Sequence, residues 1–264
     1  MDWAQPYGPL IETTMRVLTW NVWGEYGPHA ERSAGIGKLV GDLDPDVITM
    51  QEWAGQATGL GYHEAHSSGP LPCAVLSRWP IIRREEHALP GGVTAGTGKA
   101  GGAMAGSVLF CELAGPRGPL QVFSVIIGSF RLDESEVRQA QVRELTAYVA
   151  ATASRRHPAL VCGDFNAPPD SDEMRMLTGK SAPGTPGVVF YDAWEVAGPG
   201  GHGHTWSNAN QWARPGLYPP RRIDYVLSAW PRAGGAGHPV RCEVVGDGPE
   251  PASDHYAVLA ELRY

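Results

Sequence analysis

Residues 160–166 read Leu-Val-Cys-Gly-Asp-Phe-Asn, a short apolar run followed by two polar side chains. A run of this length and composition predicts a buried β-strand. Asp164 and Asn166 would follow the strand, where a rigid scaffold presents functional groups on a loop. Gly163 has no side chain and would permit a close approach by neighbouring backbone. This pattern recurs along the chain, and its recurrence determines the predicted fold.

Short strand-like runs alternate with a few helical segments. The strand-like runs lie at residues 16–20, 47–50, 74–76, 104–113, 120–127, 159–162, 223–227, 240–245 and 256–262. Helical spacing of apolar residues occurs at 31–43, 133–153 and 171–177. Asp133 and Ser135 are candidate caps of the second helix. About ten strands interleaved with two or three helices predict an α/β or α+β fold in which one β-sheet is stacked on another.

Composition excludes several classes of protein. The chain has 264 residues, and its 42% of apolar residues are spread along its length, which is inconsistent with a disordered tail or a coiled coil. No apolar run approaches the roughly 18 residues that a membrane span requires, and residues 1–14 lack a signal-peptide pattern. We therefore expect a cytoplasmic protein without a membrane span.

The net charge of −7 bears on the choice of partner. A protein that binds a polyanion along its length usually carries a basic surface, but the basic clusters here are two or three residues long, as at Arg221-Arg222. Nucleic acid is therefore disfavoured, and we expect a monomer that acts on a small molecule. The four cysteines form no Cys-x-x-Cys pair, which predicts buried thiols in a reducing compartment.

Polar side chains that suit a hard cation follow or lie within several of the predicted strands. These residues are Asn21, Glu52, Asp164, Asn166, Asp224, Asp254 and His255. Each alone could be an ordinary turn or surface residue. Together they form an oxygen-rich set that suits Mg²⁺ or Mn²⁺, whereas the absence of paired cysteine and histidine ligands argues against zinc.

Seven short motifs, in this order, carry a family resemblance. They are Thr19-Trp20-Asn21, Asp46-Val-Ile-Thr-Met-Gln-Glu52, Leu76-Ser-Arg-Trp-Pro-Ile81, Gly163-Asp164-Phe165-Asn166, His204-Thr205-Trp206, Arg222-Ile-Asp-Tyr225 and Ser253-Asp254-His255. The chain thereby resembles the endonuclease/exonuclease/phosphatase superfamily of metal-dependent hydrolases, which includes the DNase I-like nucleases, sphingomyelinases and inositol phosphatases. The resemblance implies a four-layer α/β/β/α sandwich, with two stacked mixed β-sheets flanked by helices. It implies one domain over residues 1–264, with 1–14 as a peripheral extension.

The resemblance implies a metal site and assigns its ligands. Glu52 corresponds to the principal ligand of Mg²⁺ or Mn²⁺, with Asn21 nearby. Asp254 would also face the metal. A divalent ion at this position neutralises charge that develops on phosphoryl oxygens.

The resemblance also assigns the residues that act on substrate. Asp164 and Asn166 would position the attacking water and bind the phosphoryl oxygens or a second metal. His255, oriented by Asp224, would contact the phosphate and either activate water or stabilise charge. Asn21, Asn166 and His255 would therefore contact the substrate. An imidazole held by a carboxylate keeps one tautomer and stays protonatable near neutral pH.

One position departs from the family pattern. A second histidine usually ends the strand before the long helix, but here that position falls on Ile126, or on Ile127 if the loop slips by one residue. Neither side chain can donate a proton, and only Ser129 and Arg131 of the following loop could contribute in its place. Proton donation typically accelerates such reactions 10²–10⁴-fold. The loss permits substrates with good leaving groups, a different reaction at a retained metal site, or an inactive homologue. Retention of the other polar residues argues against the last.

We therefore predict a divalent-metal-dependent phosphoesterase that acts on a small or lipid-like phosphate ester. The alternative is a repurposed enzyme that catalyses a non-phosphate or non-hydrolytic step in specialised metabolism. Ile126 and the nearby tryptophans favour that alternative, although those tryptophans could equally be core residues. The tryptophans are Trp20, Trp23, Trp53, Trp206 and Trp212. A nuclease is a third possibility, which the acidic balance disfavours.

Overall fold

The structure is a computed structural model that describes residues 8–91, 104–128, 131–154, 157–216, 218–229 and 233–264. Its strands are β1 (Thr14–Asn21), β2 (Val47–Gln51), β3 (His63–His66), β4 (Cys73–Ser77), β5 (Ile81–Ala88), β6 (Ser107–Gly115), β7 (Gly118–Ile126), β8 (Leu160–Asp164), β9 (Phe190–Asp192), β10 (Asp224–Ala229), β11 (Pro239–Val245) and β12 (Ala257–Arg263). Its helices are α1 (His29–Leu43), α2 (Ser135–Thr152), α3 (Asp172–Leu177) and α4 (Ala193–Ala197). None of the helices in these ranges combines the length and the apolar character needed to cross a bilayer.

The strands form two six-stranded mixed sheets. The first has the order β11-β12-β1-β2-β4-β3 and the second β5-β6-β7-β8-β10-β9. Strands β1 and β2 are parallel, as are β7 and β8, while the other neighbours are antiparallel. The predicted fold of two stacked mixed sheets is confirmed.

Apolar side chains point alternately to the two faces of each sheet and form three layers, one between the sheets and one on the outer face of each sheet. On β1, Met15 and Val17 face the second sheet and pack with residues such as Val122 of β7. Leu18 of β1 points the opposite way and packs against Ile36 of α1. The outer face of the second sheet packs in the same manner against α2 and α3. Because successive side chains of a strand face opposite ways, each sheet is buried on both faces, which produces the four layers.

Buried polar side chains lie between the two sheets, close to the end of the strands where the candidate site residues lie. Thr49 Oγ1 donates to Thr19 Oγ1 at 2.8 Å, and Gln51 Nε2 donates to Ser124 Oγ at 3.1 Å. Gly163 lies near the end of the central strand β8. Its φ is 153°, and a Cβ there would be 1.8 Å from the carbonyl oxygen of Val125. The expected close approach at Gly163 is therefore present, and only glycine fits it.

Some details differ from the sequence prediction. The sequence analysis missed β3, β5 and β9, because β3 and β5 are polar edge strands and β9 has three residues. The prediction that Asp133 or Ser135 caps α2 is wrong: the N-cap is Glu134, and the Ser135 hydroxyl donates to Glu173 instead. Of the expected extension at 1–14, residues 1–7 lie outside the described residues.

Candidate active site

A cavity of about 390 Å³ opens at one end of the two sheets. Five of the predicted residues line it, namely Glu52, Asp164, Asn166, Asp254 and His255. The other two, Asn21 and Asp224, lie directly behind and hydrogen-bond to residues of the lining. The structure thus brings all seven predicted residues together, although they come from positions more than 200 residues apart.

Asn21 connects the two sheets at the floor of the cavity. Its Nδ2 donates to Glu52 Oε1 at 2.9 Å and to Asp164 Oδ2 at 3.1 Å. Its Oδ1 accepts from the backbone N–H of Trp23 at 3.0 Å, which fixes the orientation of the amide. Glu52 has φ 52°, a left-handed conformation that is costly for a residue with a Cβ and that recurs at functional sites. This geometry favours Asn21 as the residue that orients the two carboxylates.

Asp164 is held by donors on both sides. The backbone N–H of Asn166 donates to its Oδ1 at 2.8 Å, and the Nδ2 of Asn166 also donates to the carbonyl oxygen of Ile127 at 2.9 Å. Asn166 adopts φ 51°, which turns its amide back toward the strand end. Burial and repulsion from Asp224, its partner in the β8–β10 pairing, raise the pKa of Asp164 to about 7.

His255 and Asp224 form a buried pair. His255 Nδ1 lies 2.9 Å from Asp224 Oδ2, and Nε2 lies 4.0 Å from Asp164 Oδ2. Burial acts to lower the pKa of His255, but the charges of Asp224, Asp164 and Asp254 outweigh it and hold the pKa well above its usual range. An imidazole fixed in this way keeps a protonated Nε2 directed toward the cavity.

The carboxylates fit a divalent cation. Asp254 is partly buried, and its pKa is raised by burial, with repulsion from Glu52 adding to the effect. Neither Glu52 nor Asp254 forms an ion pair with a lysine or arginine in the described part of the chain. A second set, Asp164, Asp224 and His255, has one potential ligand atom per residue within 4.8 Å of one another. Oxygen donors of this kind suit Mg²⁺ or Mn²⁺.

Ile126 occupies the wall beside Asp164. The two residues pair in register across β7 and β8, and Ile126 is 2% exposed. Ile126 packs in the core between the sheets, whereas Ile127 packs in the layer under α2. Arg131, one of the two residues that could have replaced a histidine, is exposed and pairs with Asp133 at 2.9 Å. The other, Ser129, lies outside the described residues.

The sequence analysis missed part of the lining. Arg221 and Tyr218 line one wall together with Trp206, which the sequence analysis had named among the tryptophans near the site, whereas Arg221 was noted only as half of a basic pair. Its position directly before the Arg222-Ile-Asp motif is the signal that could have placed it at the site. Trp23 also lines the cavity, while Trp20 lies in the core and donates to the carbonyl oxygen of His255.

The remaining two tryptophans, Trp212 and Trp53, are not part of the cavity lining. Trp212 packs against Trp23 with ring centroids 5.7 Å apart, and Trp53 stacks on His66.

Comparison with solved structures agrees with the fold. Solved structures with a similar fold include TDP2 from D. rerio complexed with single-strand DNA product (TM-score 0.75, 17% identity, 96% of this chain and 100% of that one). Truncated TDP2 from Caenorhabditis elegans matches with a TM-score of 0.73 and 18% identity, over 97% of this chain and 100% of that one. An endonuclease/exonuclease/phosphatase from Bacteroides vulgatus matches with a TM-score of 0.70 and 17% identity, over 95% of this chain and 99% of that one.

At these identities the structural likeness concerns the fold. No curated protein matches by sequence. The model of the endonuclease/exonuclease/phosphatase family, whose members are generally metal-dependent phosphoesterases, matches residues 18–255. That range contains every residue of the candidate site, and the resemblance noted in the sequence is confirmed. The chain belongs to the endonuclease/exonuclease/phosphatase family.

Proposed function

We propose that the protein is a divalent-metal-dependent hydrolase of phosphate esters, acting on a small or lipid-like molecule. One observation carries the proposal: Asn21 hydrogen-bonds to both Glu52 and Asp164, beside the buried pair of Asp224 and His255. These five buried or partly buried polar side chains form two adjacent hydrogen-bonded groups, and packing alone does not explain them, because each costs free energy to desolvate. The same arrangement suits water activation next to a phosphoryl group.

The residues of the chain divide the work. Glu52 and Asp254 would hold Mg²⁺ or Mn²⁺, which when bound neutralises charge on phosphoryl oxygens. Asp224 keeps the imidazole of His255 in one orientation, and the protonated Nε2 stabilises negative charge on the phosphoryl group. Asp164, fixed by Asn21 and Asn166, orients the attacking water and accepts a proton from it. Asn166 and His255, which line the cavity, are the proposed contacts to the substrate, whereas Asn21 lies behind the lining and acts through Glu52 and Asp164.

Further properties belong to the same proposal. We propose a monomer of one domain over residues 1–264, located in the cytoplasm. All four cysteines are unpaired and buried, and burial raises the pKa of each thiol to about 12. Inert, unpaired thiols are consistent with a reducing compartment. The net charge of −7 supports a small substrate over a nucleic acid.

Hydrolysis of activated esters tests the function. Bis(4-nitrophenyl) phosphate, 4-nitrophenyl phosphate and a short-chain phospholipid would be incubated with the protein in Mg²⁺, Mn²⁺ or EDTA. We expect turnover that requires the divalent ion, and its loss in Glu52→Gln, which retains an acceptor for Asn21. Glu136→Gln, a change to an exposed glutamate on α2, is the matched control. If Glu52→Gln stays active but loses several degrees of thermal stability without metal, Glu52 is structural.

A repurposed enzyme is the second candidate, because Ile126, Ile127 and Leu71 make part of the cavity apolar. A tight divalent site without turnover of any phosphate ester would favour it. Nicking of plasmid DNA would favour a nuclease.

A further inference from the structure

Arg221 has a buried charge that lacks a carboxylate partner among the described residues. Its side chain is 8% exposed, and neither Nε nor Nη1 has a hydrogen-bond partner within the described residues. The other buried arginines of the described ranges all have partners. Arg32 donates to backbone carbonyls, Arg138 pairs with Glu173, and Arg222 pairs with Asp192 at 2.6 Å. The described residues supply no hydrogen-bond acceptor for Nε and Nη1 of Arg221. Burial of such an unpaired polar group is unfavourable, so a ligand that supplies an acceptor would be stabilised here.

The backbone and two aromatic rings fix Arg221 in the cavity wall. Its N–H donates to the carbonyl oxygen of Trp206 at 2.9 Å, and its own carbonyl oxygen accepts from the N–H of Trp206 at 3.0 Å. The guanidinium carbon lies 5.3 Å from the ring centroid of Trp206 and 4.8 Å from that of Tyr218. Aromatic contact uses the face of a guanidinium and leaves the N–H groups at its edge free to donate.

The surrounding charges keep Arg221 cationic and available. Burial lowers the pKa of Arg221, and the nearby charges of Asp164 and Asp224 oppose that shift. Neither carboxylate lies within ion-pair distance of it. Arginine remains protonated in proteins, so a fixed positive charge faces the same cavity as Asp164 and His255.

We propose that Arg221 is an anion-binding residue of this cavity and donates hydrogen bonds to the phosphoryl oxygens of the substrate. The inference rests on the proposed function and narrows its substrate class. Arg221 supplies a positive charge in a site whose second histidine position is occupied by Ile126. A guanidinium binds and stabilises a phosphoryl anion, often through two parallel N–H groups, but it does not donate its proton to a leaving oxygen. The substrates are therefore phosphate esters whose phosphoryl anion is bound by Arg221 and whose leaving group receives no proton from it.

Binding of inorganic phosphate tests this residue separately from catalysis. Isothermal titration calorimetry would compare the wild type with Arg221→Gln, Arg221→Lys and Arg214→Gln, in Mg²⁺ and in EDTA. Arg214 is an exposed arginine of the same segment and serves as the control for loss of charge. We expect Arg221→Gln to weaken binding roughly 10- to 100-fold, because a charge-assisted hydrogen bond is lost. Arg221→Lys should fall between, and Arg214→Gln should match the wild type.

Thermal unfolding separates binding from a structural role. Arg221→Met retains much of the apolar stem and removes the buried charge, so its Tm should equal or exceed that of the wild type. A fall of several degrees in Tm, with phosphate binding unchanged in Arg221→Gln, would assign Arg221 to the structure and overturn the inference.

The remaining outcomes distinguish the two proposals. Phosphate binding that depends on Arg221, without turnover of any phosphate ester, would overturn the proposed function and leave the anion site standing. Turnover that is equal in the wild type and Arg221→Gln would overturn the inference and leave the function standing. No binding by the wild type at about 10 mM phosphate, a limit that corresponds to a very weak complex, would also overturn the inference.

Discussion

The substitution Ile126→His would test whether the site lacks only its proton donor. Ile126 is buried and pairs in register with Asp164 on the neighbouring strand, so a histidine there would lie beside that carboxylate. In the wild type, the rate should depend steeply on the pKa of the leaving group, because the departing oxygen receives no proton. The variant should flatten this dependence and accelerate poor leaving groups by up to roughly 10²–10⁴-fold.

The same substitution has a calculable cost. Burial of an isoleucine side chain stabilises a fold by about 1.5–3 kcal/mol, and an imidazole at the cavity edge recovers part of that. We expect a loss of about 1–3 kcal/mol, which corresponds to a fall in Tm of about 2–8 °C. The protein should therefore stay folded, and circular dichroism with thermal unfolding would verify this before kinetics are measured.

The assay is kcat/KM for a series of aryl phosphate esters with graded leaving-group pKa, with Mg²⁺ and Mn²⁺ each supplied. Phe123→His is the matched control, because Phe123 is equally buried on β7 but packs in the layer under α2 and does not line the cavity. It should lose stability without flattening the leaving-group dependence. An unchanged slope in folded Ile126→His would refute the reasoning about the missing acid. No turnover by either protein with any ester would refute the phosphoesterase itself.

Three other predictions concern buried groups. Asp224→Asn combined with His255→Ala should reduce kcat little more than His255→Ala alone, because the two act as a unit; strictly additive losses would separate them. The folded pKa of Asp164, about 7 against an ordinary 3.8, means that its contribution to stability is full below pH 3.8 and lost as the pH rises through 7. Urea unfolding in EDTA at pH 4.5 and 7.5 should show that loss in the wild type and a smaller one in Asp164→Asn; equal losses would contradict the shift. Asp192→Ala should lower the free energy of unfolding by about 3–5 kcal/mol, because Arg222 is left buried and unpaired, and a change within about 0.5 kcal/mol would contradict this.

Local sequence was sufficient for the central strands and for the identity of the site residues. All nine predicted strand segments contain strands of the structure, because central strands such as β2 and β8 are buried on both faces and read as continuous apolar runs. The polar residues that end or follow them stand out against this background. The order of the seven motifs along the chain was then sufficient to suggest the family, since they follow one another as they do in its members.

Only the tertiary structure decided which of these residues meet. Asp224 and His255 are separated by 31 residues, and Asn21 and Asp164 by 143, so their contacts depend on sheet pairing and on the stacking of one sheet over the other. Edge strands such as β5 escaped detection because an edge is exposed and carries no apolar run. The type of residue did not place Arg221 at the site, because a basic pair looks like a surface feature. The fold buries Arg221 against two aromatic rings and leaves its Nε and Nη1 without a hydrogen-bond partner among the described residues. Residue type and strand pattern are local properties of the chain, whereas burial and partnership arise only when distant segments pack together.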